Sequence, residues 1–345
     1  MSGAPAIGVL GAGAWGTALA EMLASDGRDV LLWARRREVA EEINASRINS
    51  LYLPGVELAP SIRATANIED TAACAILLLV TPAQHMRETL NMMAAFPRDL
   101  VLCSKGIEAG TGRLMAEVAA DAAPRSEIAV LSGPTFAHEV AAGLPTAVTL
   151  ACGGGEAQWN RLRDAIARPG FRPYYSDDLV GAEVGGAVKN VLAIACGVVE
   201  GLALGQNARA ALIARGYAEM LRLGDTMGAS RDTLAGLCGL GDLVLTCTST
   251  SSRNFSLGVS LGQGVSPQEL MARRHTVAEG AHTAPVLAGL AARLGIAMPI
   301  AEAVHRLLQG APAKEIAAEL LARPLRAETA EAGPATPDAA REPSA

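Results

Sequence analysis

The sequence predicts an α/β domain over residues 1–176, an all-α domain over residues 177–323 and a disordered tail over residues 324–345. Three observations predict this. Short apolar runs alternate with helix-like segments through the first half, the pattern of a parallel sheet covered by helices. Strand signals fade near Asp177, and Ala-, Leu- and Gly-rich helical segments continue to about Ala322. After Leu325 the chain is rich in Pro, Ala and Glu, with too few large apolar residues to offset the entropy of ordering.

The elements follow in order. Ala6–Leu10 reads as a strand and Thr17–Ala24 as a helix. Val30–Trp33 is a second strand. Ala75–Val80 is a continuous apolar run, as expected of a strand buried on both faces. Leu100–Ser104, Ile128–Leu131 and Ala147–Ala151 are further strands, and Phe171–Tyr175 is the last strand-like segment.

Composition narrows the function. The chain has 345 residues, half of them hydrophobic, and only 3% aromatic, so its cores are built from Ala, Leu, Val and Ile. A net charge of −6 without a long basic run argues against nucleic acid as a partner. The six cysteines are scattered without a C-x-x-C pair, which argues against a disulfide framework or a zinc site, and no histidine pair has metal spacing. The amino terminus lacks the basic region of a signal peptide. The charge-free apolar stretch Val191–Val199 is far shorter than the roughly 20 residues that span a bilayer. A cytoplasmic protein without a membrane span is expected. Of the 29 basic residues only Lys105, Lys189 and Lys314 are lysine. That rarity raises interest in each lysine, because lysine can give up a proton near neutral pH and arginine cannot.

Gly11-Ala12-Gly13-Ala14-Trp15-Gly16 follows the first strand and opens the first helix. In that context a G-x-G-x-x-G is a dinucleotide fingerprint of the Rossmann type. Gly11 permits the turn, Gly13 admits the pyrophosphate and Gly16 lets the helix pack on the strand, while the helix N-terminus faces the phosphates. The second strand ends at Trp33-Ala34-Arg35-Arg36-Arg37, where an NAD-selective site usually carries Asp or Glu. Arg35 would instead favour a 2′-phosphate, so NADP(H) is the expected cofactor, with NAD(H) also accepted. The alternative for Arg35 is a solvated basic start to the next helix.

Ser104-Lys105-Gly106 lies beyond the carboxyl end of a strand, where open α/β sheets bind ligands. Ser132-Gly133-Pro134-Thr135-Phe136-Ala137 follows another strand; the glycine, free backbone donors and Thr135 hydroxyl suit a polar pocket, and an ordinary turn has the same look. Gly185-Gly186-Ala187-Val188-Lys189-Asn190 embeds Lys189 in an apolar run, where desolvation lowers its pKa toward the range of an acid–base catalyst. A lysine that snorkels to water is the competing reading. Gly239-Leu240-Gly241-Asp242-Leu243, with Thr246 nearby, frames one carboxylate, which alone would read as a helix N-cap. Ser251-Ser252-Arg253-Asn254 offers a guanidinium fork suited to phosphate.

Taken together and in order, G-A-G-x-W-G-T-A-L-A, W-A-R, S-K-G-I-E, G-P-x-F-A-x-E, G-x-x-K-N-V-x-A-I-A, G-L-G-D-L-x-L-T and S-R-N resemble the bacterial-type NAD(P)-dependent glycerol-3-phosphate dehydrogenases, from about Ile7 to about Ala322. The resemblance implies interconversion of dihydroxyacetone phosphate and sn-glycerol 3-phosphate, in support of phospholipid synthesis. It implies that Lys189 is the proton donor and acceptor. Lys105, Gly133, Thr135, Asn190, Asp242, Ser252, Arg253 and Asn254 would bind substrate. Ala14, Trp15, Arg35, Lys105, Ala137, Arg253, Val277 and Glu279 would bind cofactor beside the glycines. Ala14 departs from the serine frequent in the family, and Ala281-His282 from a more apolar or aromatic pair. A homodimer is compatible with the Gly-rich helical region. A β-hydroxyacid dehydrogenase of the same plan and a non-catalytic NAD(P)-binding regulator are the competing readings.

Overall fold

The computed structural model describes residues 7–93, 98–273 and 278–324. Its first half is one eight-stranded sheet of order β3-β2-β1-β4-β5-β6-β7-β8. The strands are β1 (Ile7–Leu10), β2 (Val30–Trp33), β3 (Ile62–Thr65), β4 (Ile76–Leu79), β5 (Asp99–Leu102), β6 (Glu127–Ser132), β7 (Thr146–Cys152) and β8 (Phe171–Ser176). Between them run α1 (Ala14–Ala24), α2 (Arg37–Ser46), α3 (Met86–Asn91), α4 (Met115–Ala122), α5 (Ala137–Ala141) and α6 (Gly155–Ile166). β1, β2, β4 and β5 are buried at every residue, because helices cover both faces.

Two features differ from the sequence expectation. β3 was not foreseen: its four residues, Ile-Arg-Ala-Thr, lie at the sheet edge with Arg63 exposed, so they lack the apolar run of a central strand. The sheet is also not wholly parallel. β6 pairs antiparallel with β7, and β8 runs parallel to β7. The helix joining β6 to β7 is only the five-residue α5, and it packs on α1 instead of carrying the chain back across the sheet as a parallel connection requires.

The second half is helical: α7 (Leu179–Gly201), α8 (Gly205–Met227), α9 (Arg231–Ala235), α10 (Asp242–Thr248), α11 (Arg253–Gly262), α12 (Pro267–Arg273), α13 (Glu279–Leu294), α14 (Pro299–Leu308) and α15 (Ala313–Leu321). A π-helical turn, Leu237–Gly241, leads into α10. α7 is the axis against which α8, α10, α11, α13 and α14 pack. Its 23 residues have the length and hydropathy to cross a membrane, yet its apolar window is entirely buried inside the protein. The approach of α7 to α11 depends on small residues at the crossing. A Cβ on Gly197 would lie 2.0 Å from the Phe255 carbonyl oxygen, and one on Gly258 would lie 2.0 Å from that of Ile194. The amino-terminal end of α7 reaches the sheet, where Leu179 and Ala182 join Leu79, Leu102 and Val130 in one core cluster. All six cysteines are buried free thiols. Val277 and residues 325–345, nearly all of the expected tail, lie outside the described residues.

Candidate active site

The strand order turns around between β1 and β4, and loops from the carboxyl ends of β1, β4, β5 and β6 converge at that edge. Open α/β sheets form their ligand crevice at such an edge. The loop after β1 is the glycine fingerprint. Gly13 precedes α1 as its N-cap, and the space around it is open, since a Cβ built there would meet nothing within 4 Å. Gly16 is the opposite case. A Cβ there would lie 1.8 Å from the Gly11 carbonyl oxygen, so only glycine lets the loop fold back over the helix. Ala14 and Trp15 form the first turn of α1. Trp15 is half-buried, and its Nε1–H is buried without a hydrogen-bond partner. Arg35 is exposed just beyond β2, and Ala137 opens α5 beside α1.

The residues present fit a dinucleotide. They provide an open glycine at a helix N-terminus, an indole N–H awaiting an acceptor and a guanidinium beyond the second strand. Glu279, at the start of α13, lies within the electrostatic reach of Arg253, Lys105 and Lys189, and burial raises its pKa against the pull of those cations.

Beside this loop edge sits a buried charge cluster. Asp242, wholly inaccessible, accepts hydrogen bonds from two lysines. Lys189 Nζ donates to Oδ1 at 2.5 Å and Lys105 Nζ to Oδ2 at 2.7 Å. Lys189 Nζ also donates to Thr246 Oγ1 at 3.0 Å, and Lys105 Nζ to the Gly133 carbonyl at 3.2 Å. The cluster thus ties the β5 and β6 loops to α7 and α10. Asp242 is not the N-cap that its local sequence suggests. The π-helical turn before it places it as the first residue of α10, with its carboxylate turned inward to the lysines.

Lys189 does not snorkel: only 5% of it is accessible. Burial pushes its pKa down to about 8, and repulsion from Lys105 adds to the fall. The Asp242 carboxylate opposes both effects but does not outweigh the desolvation. The result is a lysine that exchanges its proton near neutral pH while held in one place.

The other sequence candidates assemble around it. Asn190 follows Lys189 on α7, and its Oδ1 accepts from Asn254 Nδ2 at 2.9 Å. Asn254 Oδ1 in turn accepts from the Gly280 N–H at 3.0 Å, so three helices are fixed by two amides. Ser252 caps α11 by accepting from the Phe255 N–H, which leaves Arg253 exposed in the helix's first turn. Gly133 has φ +155°, and a Cβ there would lie 2.9 Å from Val148 Cα, so the position requires glycine. Thr135 is half-buried, with its Oγ1 3.4 Å from the Gly133 carbonyl. Thr246 belongs to the site although its motif suggested no role for it. It lies four residues after Asp242 on one helix face, a spacing that could have shown it.

A glycine-loop sheet joined to a helical unit that carries a buried lysine defines a dehydrogenase-type fold. Its amino-terminal part, residues 6–158, matches the family described as NAD-dependent glycerol-3-phosphate dehydrogenase N-terminus, and residues 178–318 match the corresponding C-terminus. The chain belongs to the NAD-dependent glycerol-3-phosphate dehydrogenase family, and so to the oxidoreductases. It is 70% identical to the glycerol-3-phosphate dehydrogenase [NAD(P)+] of Erythrobacter litoralis, over 93% of this chain and 97% of that one. It is also 70% identical to the enzyme of that name from Novosphingobium aromaticivorans, over 93% and 98%. Among solved structures, the glycerol-3-phosphate dehydrogenase of Coxiella burnetii superposes with a TM-score of 0.88 at 39% identity, covering 92% of this chain and 99% of that one.

Proposed function

We propose that this chain interconverts dihydroxyacetone phosphate and sn-glycerol 3-phosphate, with NADP(H) preferred and NAD(H) accepted, and that Lys189 is the proton donor and acceptor. The observation that carries the reading is Lys189 itself: buried, with its pKa lowered to about 8, and fixed by Asp242 and Thr246. We divide the chain accordingly into a cofactor domain, 1–176, and a helical catalytic domain, 177–323. The product is a glycerophospholipid precursor, and the small-molecule chemistry is that of a cytoplasmic enzyme.

The bound nicotinamide supplies or accepts the hydride. Gly11, Gly13, Ala14, Trp15 and Gly16 receive the pyrophosphate side of the cofactor, and Arg35 its 2′-phosphate. Ala137, Arg253 and Glu279 complete that surface, together with Lys105, and Val277 is proposed as a further cofactor contact. In the reductive direction Lys189 protonates the oxygen at the reacting carbon as negative charge develops on it. In the oxidative direction neutral Lys189 removes the hydroxyl proton. Lys105 and Asn190 hold the oxygen in place, with Gly133 and Thr135 lining the same side. Arg253, Ser252 and Asn254 take the substrate phosphate, which provides binding energy away from the reacting carbon. Asp242 holds both lysines and keeps Lys189 from losing its proton too early.

The test is NADPH oxidation with dihydroxyacetone phosphate, repeated with NADH and with unphosphorylated dihydroxyacetone. Turnover that needs the phosphate and is faster with NADPH is the expected result. Lys189→Arg should nearly abolish turnover and leave NADPH binding intact. Substantial activity in that variant would remove Lys189 from its role. Turnover of an unphosphorylated hydroxyacid instead would favour the β-hydroxyacid reading.

A further inference from the structure

The glycine loop is held at Gly11 and Gly16, and its open part lies between them at Gly13. Gly13 has open space around it, and a glycine-flanked peptide flips readily. The peptide that matters is Ala12–Gly13. It is trans and planar, so the Ala12 carbonyl and the Gly13 N–H point in opposite directions. Whatever holds the carbonyl aims the N–H.

Asn49 holds it. α2 ends at Arg47 in the left-handed conformation, φ 59°, with its N–H bonded to the Ile43 carbonyl. This turn brings the following segment back beneath the glycine loop. Asn49 there is 0% accessible, and its Nδ2 donates to the Ala12 carbonyl at 2.9 Å and to Thr17 Oγ1 at 2.8 Å. Its Oδ1 accepts from the Tyr52 N–H at 3.2 Å, and its own carbonyl accepts from the Leu53 N–H at 2.9 Å. The side-chain amide is therefore fixed at both ends and has one orientation. A flipped peptide would lose the bond to Asn49 and turn the Ala12 carbonyl dipole toward the place where a pyrophosphate is received.

We infer that Asn49 is a positioning residue for the dinucleotide, holding the Ala12 carbonyl inward so that the Gly13 N–H faces the cofactor phosphates. The inference rests on the cofactor reading proposed above. An amide is the side chain this position needs. A carboxylate of the same size would repel the Ala12 carbonyl and place negative charge behind an anion site.

The experiment is a fluorescence titration of the full-length protein with NADPH, for the unmodified chain and for Asn49→Ala, Asn49→Asp and Asn44→Ala. Asn44 is the control, because it braces the same α2–β3 region through both polar groups of Ala64 and has no bond to the glycine loop. Asn49→Ala is expected to raise the Kd for NADPH about ten-fold or more, the worth of one backbone donor to a charged phosphate. Its kcat at saturating NADPH and its KM for dihydroxyacetone phosphate should stay as in the unmodified protein. Asn49→Asp should bind more weakly still. Asn44→Ala should lower the melting temperature and leave Kd unchanged. Unaltered binding by Asn49→Ala would overturn the inference, and so would an equal loss in Asn44→Ala. Should Asn49→Ala fail to fold, Asn49→Asp, which keeps the size and loses the donor to the Ala12 carbonyl, decides: unaltered NADPH binding by it would overturn the inference. An unmodified chain that binds neither NADPH nor NADH would overturn the cofactor reading and this inference with it. Normal binding by the unmodified chain and by Asn49→Ala alike overturns the inference alone.

Discussion

Replacing Asp242 by Asn removes the one carboxylate that two ammonium groups share and leaves an amide of the same shape. In the intact site burial has already brought the Lys189 pKa down to about 8, with Asp242 holding it from falling further and Lys105 pushing it lower. The Lys189 ammonium lies 2.5 Å from one carboxylate oxygen. With the carboxylate charge spread over two oxygens, a unit charge about 4 Å away contributes about 4 kcal/mol at an effective dielectric constant of 20. At 1.36 kcal/mol per pH unit that is about 3 units, at the top of the 1–3 units by which an adjacent opposite charge moves a group. The sign follows from the chemistry. Under the proposed mechanism, oxidation of sn-glycerol 3-phosphate needs neutral Lys189, so its rate should rise as pH passes the pKa; reduction needs the ammonium, so its rate should fall through the same point. In Asp242→Asn both limbs should move to lower pH by about 1–3 units. Protein stability should fall by less than the roughly 3–5 kcal/mol of a broken buried ion pair, because Lys189 can shed its proton. The assay is the pH profile of kcat/KM, which reports the free enzyme, taken as the ratio of variant to unmodified protein so that ionisation of the substrate phosphate cancels. A variant limb at the unmodified position, or at higher pH, would refute this account of the cluster.

The glycine loop gives a paired test: Gly13→Ala should leave the melting temperature unchanged or slightly higher, since its φ of −71° suits alanine and its Cβ meets nothing, while NADPH binding falls about ten-fold or more by calorimetry. Gly16→Ala should fail in both respects, because its Cβ would lie 1.8 Å from the Gly11 carbonyl oxygen. Arg35→Ala should lower kcat/KM for NADPH about ten-fold relative to NADH, and an unchanged ratio would detach Arg35 from cofactor choice. Glu183 is buried on α7, accepts the Ala116 N–H at 2.8 Å, and has its pKa raised to about 8 by desolvation. A carboxyl whose folded pKa lies above its unfolded value of 4.5 stabilises fully below pH 4.5 and loses that contribution as pH rises through about 8. Glu183→Gln should therefore melt like the unmodified protein near pH 5 and at a higher temperature near pH 9, and equal melting curves at both would refute the burial argument.

What could be read from the sequence was what local chemistry dictates. The glycine fingerprint is legible because its spacing follows from local geometry between a strand and the helix it opens, as Gly16 shows against Gly11. β1, β2 and β4 are legible because burial on both faces demands an unbroken apolar run. Lys189 stood out because it is a rare lysine within an apolar run, and only the fold decided between burial and snorkelling to water. β3 was hidden because an edge strand needs only one apolar face. The direction of β7 was hidden because strand direction depends on where the connection packs, and α5 packs on α1 instead of crossing the sheet.

Asp242 and Asn49 show where local reading ends. Within its own segment Asp242 looks like a helix cap, and its actual partners are lysines 53 and 137 positions away along the chain. Asn49 sits in an unremarkable stretch, and its meaning comes from a carbonyl 37 positions earlier. Both are buried polar groups whose cost of desolvation is offset only by partners supplied through the fold. In each case the side chain acts on a neighbour's direction or charge: Asp242 sets when Lys189 loses its proton, and Asn49 sets which way a backbone donor points. Residues that react are chosen for their own chemistry, so their type identifies them in sequence. Residues that position others are chosen for geometry, and only the fold reveals them.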